Sequence, residues 1–72
     1  MGKHPSIVPK FAKKLRNERQ RKGFSQESLA MKTGLSRNYI GMIERGETNL
    51  TLGTIERLAQ ALRVESWELL KF

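Results

Sequence analysis

Gln26-Glu27-Ser28-Leu29-Ala30-Met31-Lys32-Thr33-Gly34-Leu35-Ser36-Arg37-Asn38-Tyr39-Ile40-Gly41-Met42-Ile43-Glu44-Arg45-Gly46 is the stretch that decides the fold. It reads as two short helices, Gln26–Thr33 and Arg37–Arg45, with only Gly34, Leu35 and Ser36 between them. Phe24 and Leu29 flank Ser25, and Leu35 and Ile40 flank Ser36. In each case an apolar residue precedes a hydroxyl cap, and a second follows that cap by four positions. This is hydrophobic-staple spacing, in which two apolar side chains clamp a helix's first turn and set the chain's entry angle. Gly34 and Gly46 supply left-handed stops. A tight turn containing Gly holds two helices near a right angle. Ala30 is small where the two would approach most closely. With Ile40 and Ile43 turned to the core, helical periodicity puts Arg37, Asn38, Gly41, Met42 and Arg45 on the outward face.

The same device recurs downstream. Leu50 and Ile55 flank Thr51, and Val64 and Leu69 flank Glu65, so the spacing predicts helix 4 over Leu52–Leu62 and helix 5 from Ser66 to Leu70 or beyond. Ile55, Leu58, Ala59 and Leu62 share one face of helix 4. Arg63 stands where a helix-stopping Gly is expected, which implies mild strain. Upstream, helix 1 is expected over Val8–Lys22. Ile7, Phe11 and Leu15 recur every four residues beside Val8 and Ala12. Ser6 is its expected N-cap, Pro9 fits the first turn, and Gly23 is the stop. The expectation is an all-α, compact five-helix domain over 1–72, with residues 1–6 as a flexible arm.

Seventy-two residues make one domain, and a chain this short buries only roughly 60% of its unfolded surface. There is no cysteine, hence no disulfide, thiolate nucleophile or zinc thiolate site. That suits a reducing compartment, and a cytoplasmic location is expected. No apolar run approaches the roughly 20 residues of a membrane span, and the N-terminus is not signal-like. Met1-Gly2 with Ser6 fits a myristoylation start, but no second anchor follows, so we read it as coincidence. Asn49-Leu50-Thr51 spells a glycosylation acceptor that has no use without a signal peptide. His4 is the only histidine, too few for a metal site or a nucleophile–base pair. No enzyme, metal or cofactor is expected, and no small-molecule effector is evident.

The net charge of +7 points to a polyanion or to a merely solubilising surface. Its distribution is uneven. Residues 1–24 hold eight Lys and Arg against one Glu, residues 25–46 three against two, and residues 47–72 three against four. The charge therefore concentrates ahead of the two-helix unit, and helix 1 with its arm would supply a salt-sensitive attraction to phosphate.

The run 26–46 resembles the helix-turn-helix of the phage Cro and repressor family, also called the xenobiotic-response-element family. Gln26, Leu29, Ala30, Gly34, Leu35, Ser36, Ile40, Ile43, Glu44 and Gly46 carry the resemblance. The run Leu58-Ala59-Gln60-Ala61-Leu62-Arg63-Val64 resembles that family's fourth helix and exit. Arg37-Asn38-Tyr39-Ile40 with Ile43-Glu44-Arg45-Gly46 is also similar to the controller proteins of restriction–modification systems. About residues 11–70 are covered. Ser28 departs from the family's usual Glu, so no full capping box is expected on helix 2. The resemblance implies a lambda-repressor-like domain whose helix-turn-helix, 26–45, binds double-stranded DNA and regulates transcription.

Residue roles follow. Arg37 opens the outward face, where a guanidinium can bond guanine through two parallel hydrogen bonds; a phosphate contact or an idle cation are the alternatives. Asn38 can pair with adenine edges or supplement the cap. Gln26 would bond a phosphate, as the resemblance implies, or serve as a plain helix former. Tyr39 packs against helix 2 while its hydroxyl reaches a phosphate, or is purely a core residue. Met42 is an apolar base contact or packing. Gly41 costs roughly 1 kcal/mol against Ala in a helix interior, so it asks for a reason, such as close approach to DNA. Arg45, Thr48, Asn49 and Thr51 flank the loop into helix 4 and can clamp phosphates. The resemblance also implies a structural Arg19–Glu44 ion pair; the alternative is two exposed charges.

One such domain offers a single half-site, so a homodimer on a palindromic operator is expected. Trp67, Leu70 and Phe72 are its candidate interface, unless Trp67 and Leu69 complete the monomer core. A protein-interaction module of the same fold, of the antitoxin or coactivator kind, is the competing reading. A basic RNA or lipid binder is disfavoured, because no aromatic stacking platform is present and the staples are too regular for a bare membrane helix. The operator, the regulated gene, and whether the chain is part of a longer protein are not legible.

Overall fold

The computed structural model describes residues 6–72. The expected arm, Ser6 apart, and His4 lie outside the described residues. The chain forms α1 (Ile7–Arg21), α2 (Gln26–Thr33), α3 (Arg37–Glu44), α4 (Leu52–Leu62) and a C-terminal 3-10 turn (Ser66–Leu70). The class is all-α, but the expected fifth helix is a 3-10 turn. Five residues between extended Glu65 and extended Lys71 allow little more than one turn. That turn closes through the Glu68 amide donating to the Glu65 carbonyl at 2.9 Å and the Glu65 amide donating to Glu68 Oε2 at 2.7 Å. Its purpose is to seat Leu69, which is fully buried.

All four staple pairs end on the core. Leu29, Ile40 and Leu69 are buried, and Phe24, Leu35, Leu50, Ile55 and Val64 pack around them. Leu15, Leu58 and Leu62 complete a centre that every element reaches. Ser25, Ser36 and Thr51 each cap a helix, their hydroxyls accepting the backbone N–H three residues on at 2.9–3.0 Å. Each such cap contributes about 1 kcal/mol.

Three local expectations change. Helix 2 does close a full capping box: the Ser25 amide donates to Ser28 Oγ at 2.9 Å while Ser28 N–H returns to Ser25 Oγ. The shorter serine hydroxyl does what Glu does elsewhere. Ser6 does not cap α1; its backbone is already helical and its hydroxyl accepts no capping bond. Ile7 is half-exposed, and Val8 takes the buried place instead. Arg63 does adopt the left-handed conformation, with φ +58°.

Candidate nucleic-acid interface

The helix-turn-helix is built as a rigid block. Gly34 turns left-handed at φ +76°, and the Leu35 amide donates to Thr33 Oγ1 at 3.2 Å. Thr33 Oγ1 in turn donates back to the Leu29 and Ala30 carbonyls, tying the turn to the end of α2. Ile40 and Ile43 are buried, and α3 lodges against α2 and α1.

Behind α3, Glu44 is the anchor. Its carboxylate is wholly shielded from solvent. Arg19 Nε donates to Oε2 at 2.6 Å and Arg19 Nη2 to Oε1 at 3.1 Å, a two-bond fork. Gln26 Nε2 donates to Oε1 at 3.0 Å. Arg16 Nη2 donates to the Glu44 carbonyl at 2.9 Å, and Arg19 Nη1 to the Phe24 carbonyl at 2.8 Å. One carboxylate thus ties the last turn of α1, the first residue of α2 and the last residue of α3. Among the described residues no buried side-chain polar atom is left without a partner. Arg16 was not singled out in the sequence; its signal was a position three before Arg19 on the same helix face.

The outward face carries the remaining candidates. Arg37 and Asn38 are exposed in the first turn of α3, and Asn38 Nδ2 leans toward Met42 Sδ at 3.9 Å, a weak acceptor. Tyr39 is half-buried against the core. Gly41 is buried although it faces outward, because arginine guanidinium groups cover it. A Cβ there would stand 3.0 Å from Arg45 Nη1 and 3.7 Å from Arg37 Nη1. Arg45 Nε donates to Glu47 Oε2 at 3.0 Å. That bond holds the Glu47 carboxyl below the usual carboxylate range and raises the Arg45 guanidinium. Glu47, too, was not singled out in the sequence.

The loop into α4 gathers fewer free groups than expected. Thr51 Oγ1 is engaged as the α4 cap, and Thr48 Oγ1 donates to the Asn49 carbonyl at 3.1 Å. Asn49 is exposed. Gln26, expected to face a phosphate, commits one amide hydrogen to Glu44 and keeps the second.

The candidate dimer residues do not form one patch. Trp67 and Phe72 are 61% and 57% exposed, so Leu69 alone of the C-terminal segment completes the core. Leu70 lines an apolar groove with Ile7, Leu50 and Ile55, and adjoins Leu52. Phe72 lies instead among Lys10, Lys13, Lys14 and Lys71. Lys71 Nζ stands 6.0 Å from the centre of the Trp67 ring, in cation–π range. Two of the α1 cations, Lys14 and Arg21, are met by Glu18 at 3.9 and 2.6 Å. Among the described residues no helix is long and apolar enough to cross a membrane.

Residues 15–68 match the helix-turn-helix model HTH_3. The chain is 44% identical over 60 residues to a hypothetical transcription factor of Neisseria meningitidis, a match covering 83% of this chain and 57% of that protein. It therefore spans little more than half of that relative's length. It is 44% identical over 63 residues to the control protein C.BamHI of Bacillus amyloliquefaciens, covering 86% of this chain and 78% of the other. Among solved structures it superposes on the restriction–modification controller protein C.AhdI of Aeromonas hydrophila with a TM-score of 0.87. That match has 46% identity and covers 90% of this chain and 98% of the other. By sequence, fold and the arrangement of its two central helices, this chain belongs to the HTH_3 helix-turn-helix family, the xenobiotic-response-element family, whose members similar to it include restriction–modification controller proteins.

Proposed function

We propose that this chain is a sequence-specific, double-stranded DNA-binding transcriptional regulator that works as a homodimer on a palindromic operator. α3 enters the major groove; Arg37 and Asn38 read base edges, with Tyr39, Met42 and Arg45 beside them. Gln26, by its second amide hydrogen, and exposed Asn49 meet phosphates on the two sides of the groove, aided by the N-termini of α2 and α4; Thr48 and Thr51 join them once their hydroxyls turn from the Asn49 carbonyl and the α4 cap. The observation that carries this reading is the contrast across α3. One face is sealed on Ile40, Ile43 and Glu44, while the other presents Arg37 without an ion-pair partner among the described residues. Binding rather than catalysis is what such a face can do. Similarity to controller proteins favours the restriction–modification branch of the family.

The dimer contact draws on Trp67, Leu70 and Phe72 from different grooves rather than from one patch, with exposed Leu52 beside Leu70. The test is selection of bound sequences from random duplex DNA. A palindromic consensus with half-sites about one helical turn apart is expected. Retention of DNA with no consensus would sink the regulator reading in favour of an interaction module. Sedimentation of a Trp67→Ala, Leu70→Ala variant is expected to show monomer; an unchanged dimer overturns that interface.

A further inference from the structure

We infer that Arg45 is a second guanine-reading residue, aimed by Glu47 and seated on the bare backbone of Gly41. The inference rests on the reading that α3 enters a DNA groove. Three observations carry it. Arg45 Nε is committed to Glu47 at 3.0 Å, which leaves the terminal Nη1 and Nη2 as a fork. Such a fork matches the O6 and N7 acceptors of guanine. Next, Arg45 does not point away from the helix end. It folds back so that Nη1 would stand only 3.0 Å from a Cβ on Gly41. A Cβ there would push the end of that side chain aside by a few tenths of an ångström, so the glycine gives Arg45 its closest seat on α3. Finally, Arg37 Nη1 reaches within 3.7 Å of the same point from the other end of α3. Two guanidinium groups therefore converge on the middle of the outward face.

A phosphate clamp would be built otherwise. It needs only a free cation, and an acidic neighbour repels the DNA backbone. Guanine reading needs orientation, and Glu47 supplies it by removing the freedom of a long side chain. Arg45 and Glu47 are each about half-exposed, so the fork is reachable without any change in the fold.

The experiment measures binding to two duplexes, one carrying the selected sequence and one unrelated, over a range of salt. The proteins are the unaltered chain, Glu47→Gln, Arg45→Lys and Arg37→Ala, each checked for helix content. Glu47→Gln and Arg45→Lys are expected to lose roughly tenfold on the selected duplex and nothing on the unrelated one. For Glu47→Gln the salt slope on the unrelated duplex should steepen by about one, as the released Arg45 takes a phosphate. Equal changes on both duplexes, in either direction, overturn the inference, because Glu47 then tunes only charge. No change on the selected duplex also overturns it. If the unaltered chain fails to discriminate between the duplexes, the DNA-reading assignment itself falls. If it discriminates and only Arg37→Ala loses the preference, that assignment stands and Arg45 is a bystander.

Discussion

Glu44 and Arg45 are neighbours at the end of α3, and each is half of an Arg–Glu pair. Arg19 reaches Glu44 at 2.6 Å, and Glu47 meets Arg45 at 3.0 Å. The chemistry is the same, but the surroundings are opposite. The Glu44 carboxylate has no solvent contact, whereas Arg45 and Glu47 keep about half of theirs. One residue step rotates a side chain about 100° around a helix, enough to pass from the core to the outward face. The Glu44 cluster decides where α3 sits. The Arg45–Glu47 pair decides only how one side chain on it is aimed.

The largest effect should come from breaking the buried pair. Arg19→Met or Glu44→Gln leaves a charge without its partner and should cost about 3–5 kcal/mol. In a domain this small that is much of the total stability. Urea unfolding followed by circular dichroism measures it. A loss under about 1 kcal/mol would put the cluster on a level with a surface pair and erase the contrast. Arg37→Ala tests the other side. Stability should not change, while binding to the preferred duplex should weaken by about 1–3 kcal/mol with relaxed choice at one base pair per half-site. A uniform loss on all sequences would reassign Arg37 to a phosphate.

Gln26 belongs to both regions, because its amide touches Glu44 while the Ser25 cap beside it is exposed. Gln26→Ala should lower stability by about 1 kcal/mol, the net worth of one partly buried hydrogen bond. It should also weaken DNA binding alike on every sequence, with the salt slope unchanged, since a neutral amide releases no counterion. A sequence-dependent loss would place Gln26 among the base readers and blur the division.

How much of this was legible depended on range. The staples at Phe24, Leu35, Leu50 and Val64 could be read from the chain because they are local and repeat at fixed spacing. They placed α2 and α4 to the residue. Ser28 hid a capping box because the expected signal was a longer acceptor, although a hydroxyl also reaches. Ser66–Leu70 has the staple, but extended Glu65 and Lys71 bound it at five residues, which close as a 3-10 turn. Ser6 misled because α1 begins one residue earlier than expected, and Ile7 because a strict four-residue spacing drifts about 40° per step, off the face that Val8, Phe11, Ala12 and Leu15 share. Arg16 and Glu47 were invisible for another reason. Spacing puts Arg16 on Arg19's helix face, but which long side chain reaches which acceptor depends on how α1 and the turn after α3 lie in space. Leu70 and Phe72, two residues apart, face different grooves for the same reason.

The smallest effect is also the finest test of the contrast. Arg45's hydrogen bond holds the Glu47 carboxyl below its ordinary value of about 4.5, as Arg21's hydrogen bond does for Glu18. A depressed carboxyl contributes stability above its unfolded-state pKa and loses it as pH falls through the lower folded value. Glu47→Gln should therefore melt slightly below the unaltered chain at neutral pH, and the gap should close on acidification below about 4.5. High salt at neutral pH should close it too, because an exposed pair is screened. Around neutral pH neither partner titrates, so the duplex preference that Arg45 contributes should be flat there while remaining sensitive to salt. A gap that persists in high salt, or widens in acid, would mean that Glu47 is held by more than Arg45. The exposed pair would then be part of the frame, as Glu44 is, and not a movable guide for one guanidinium.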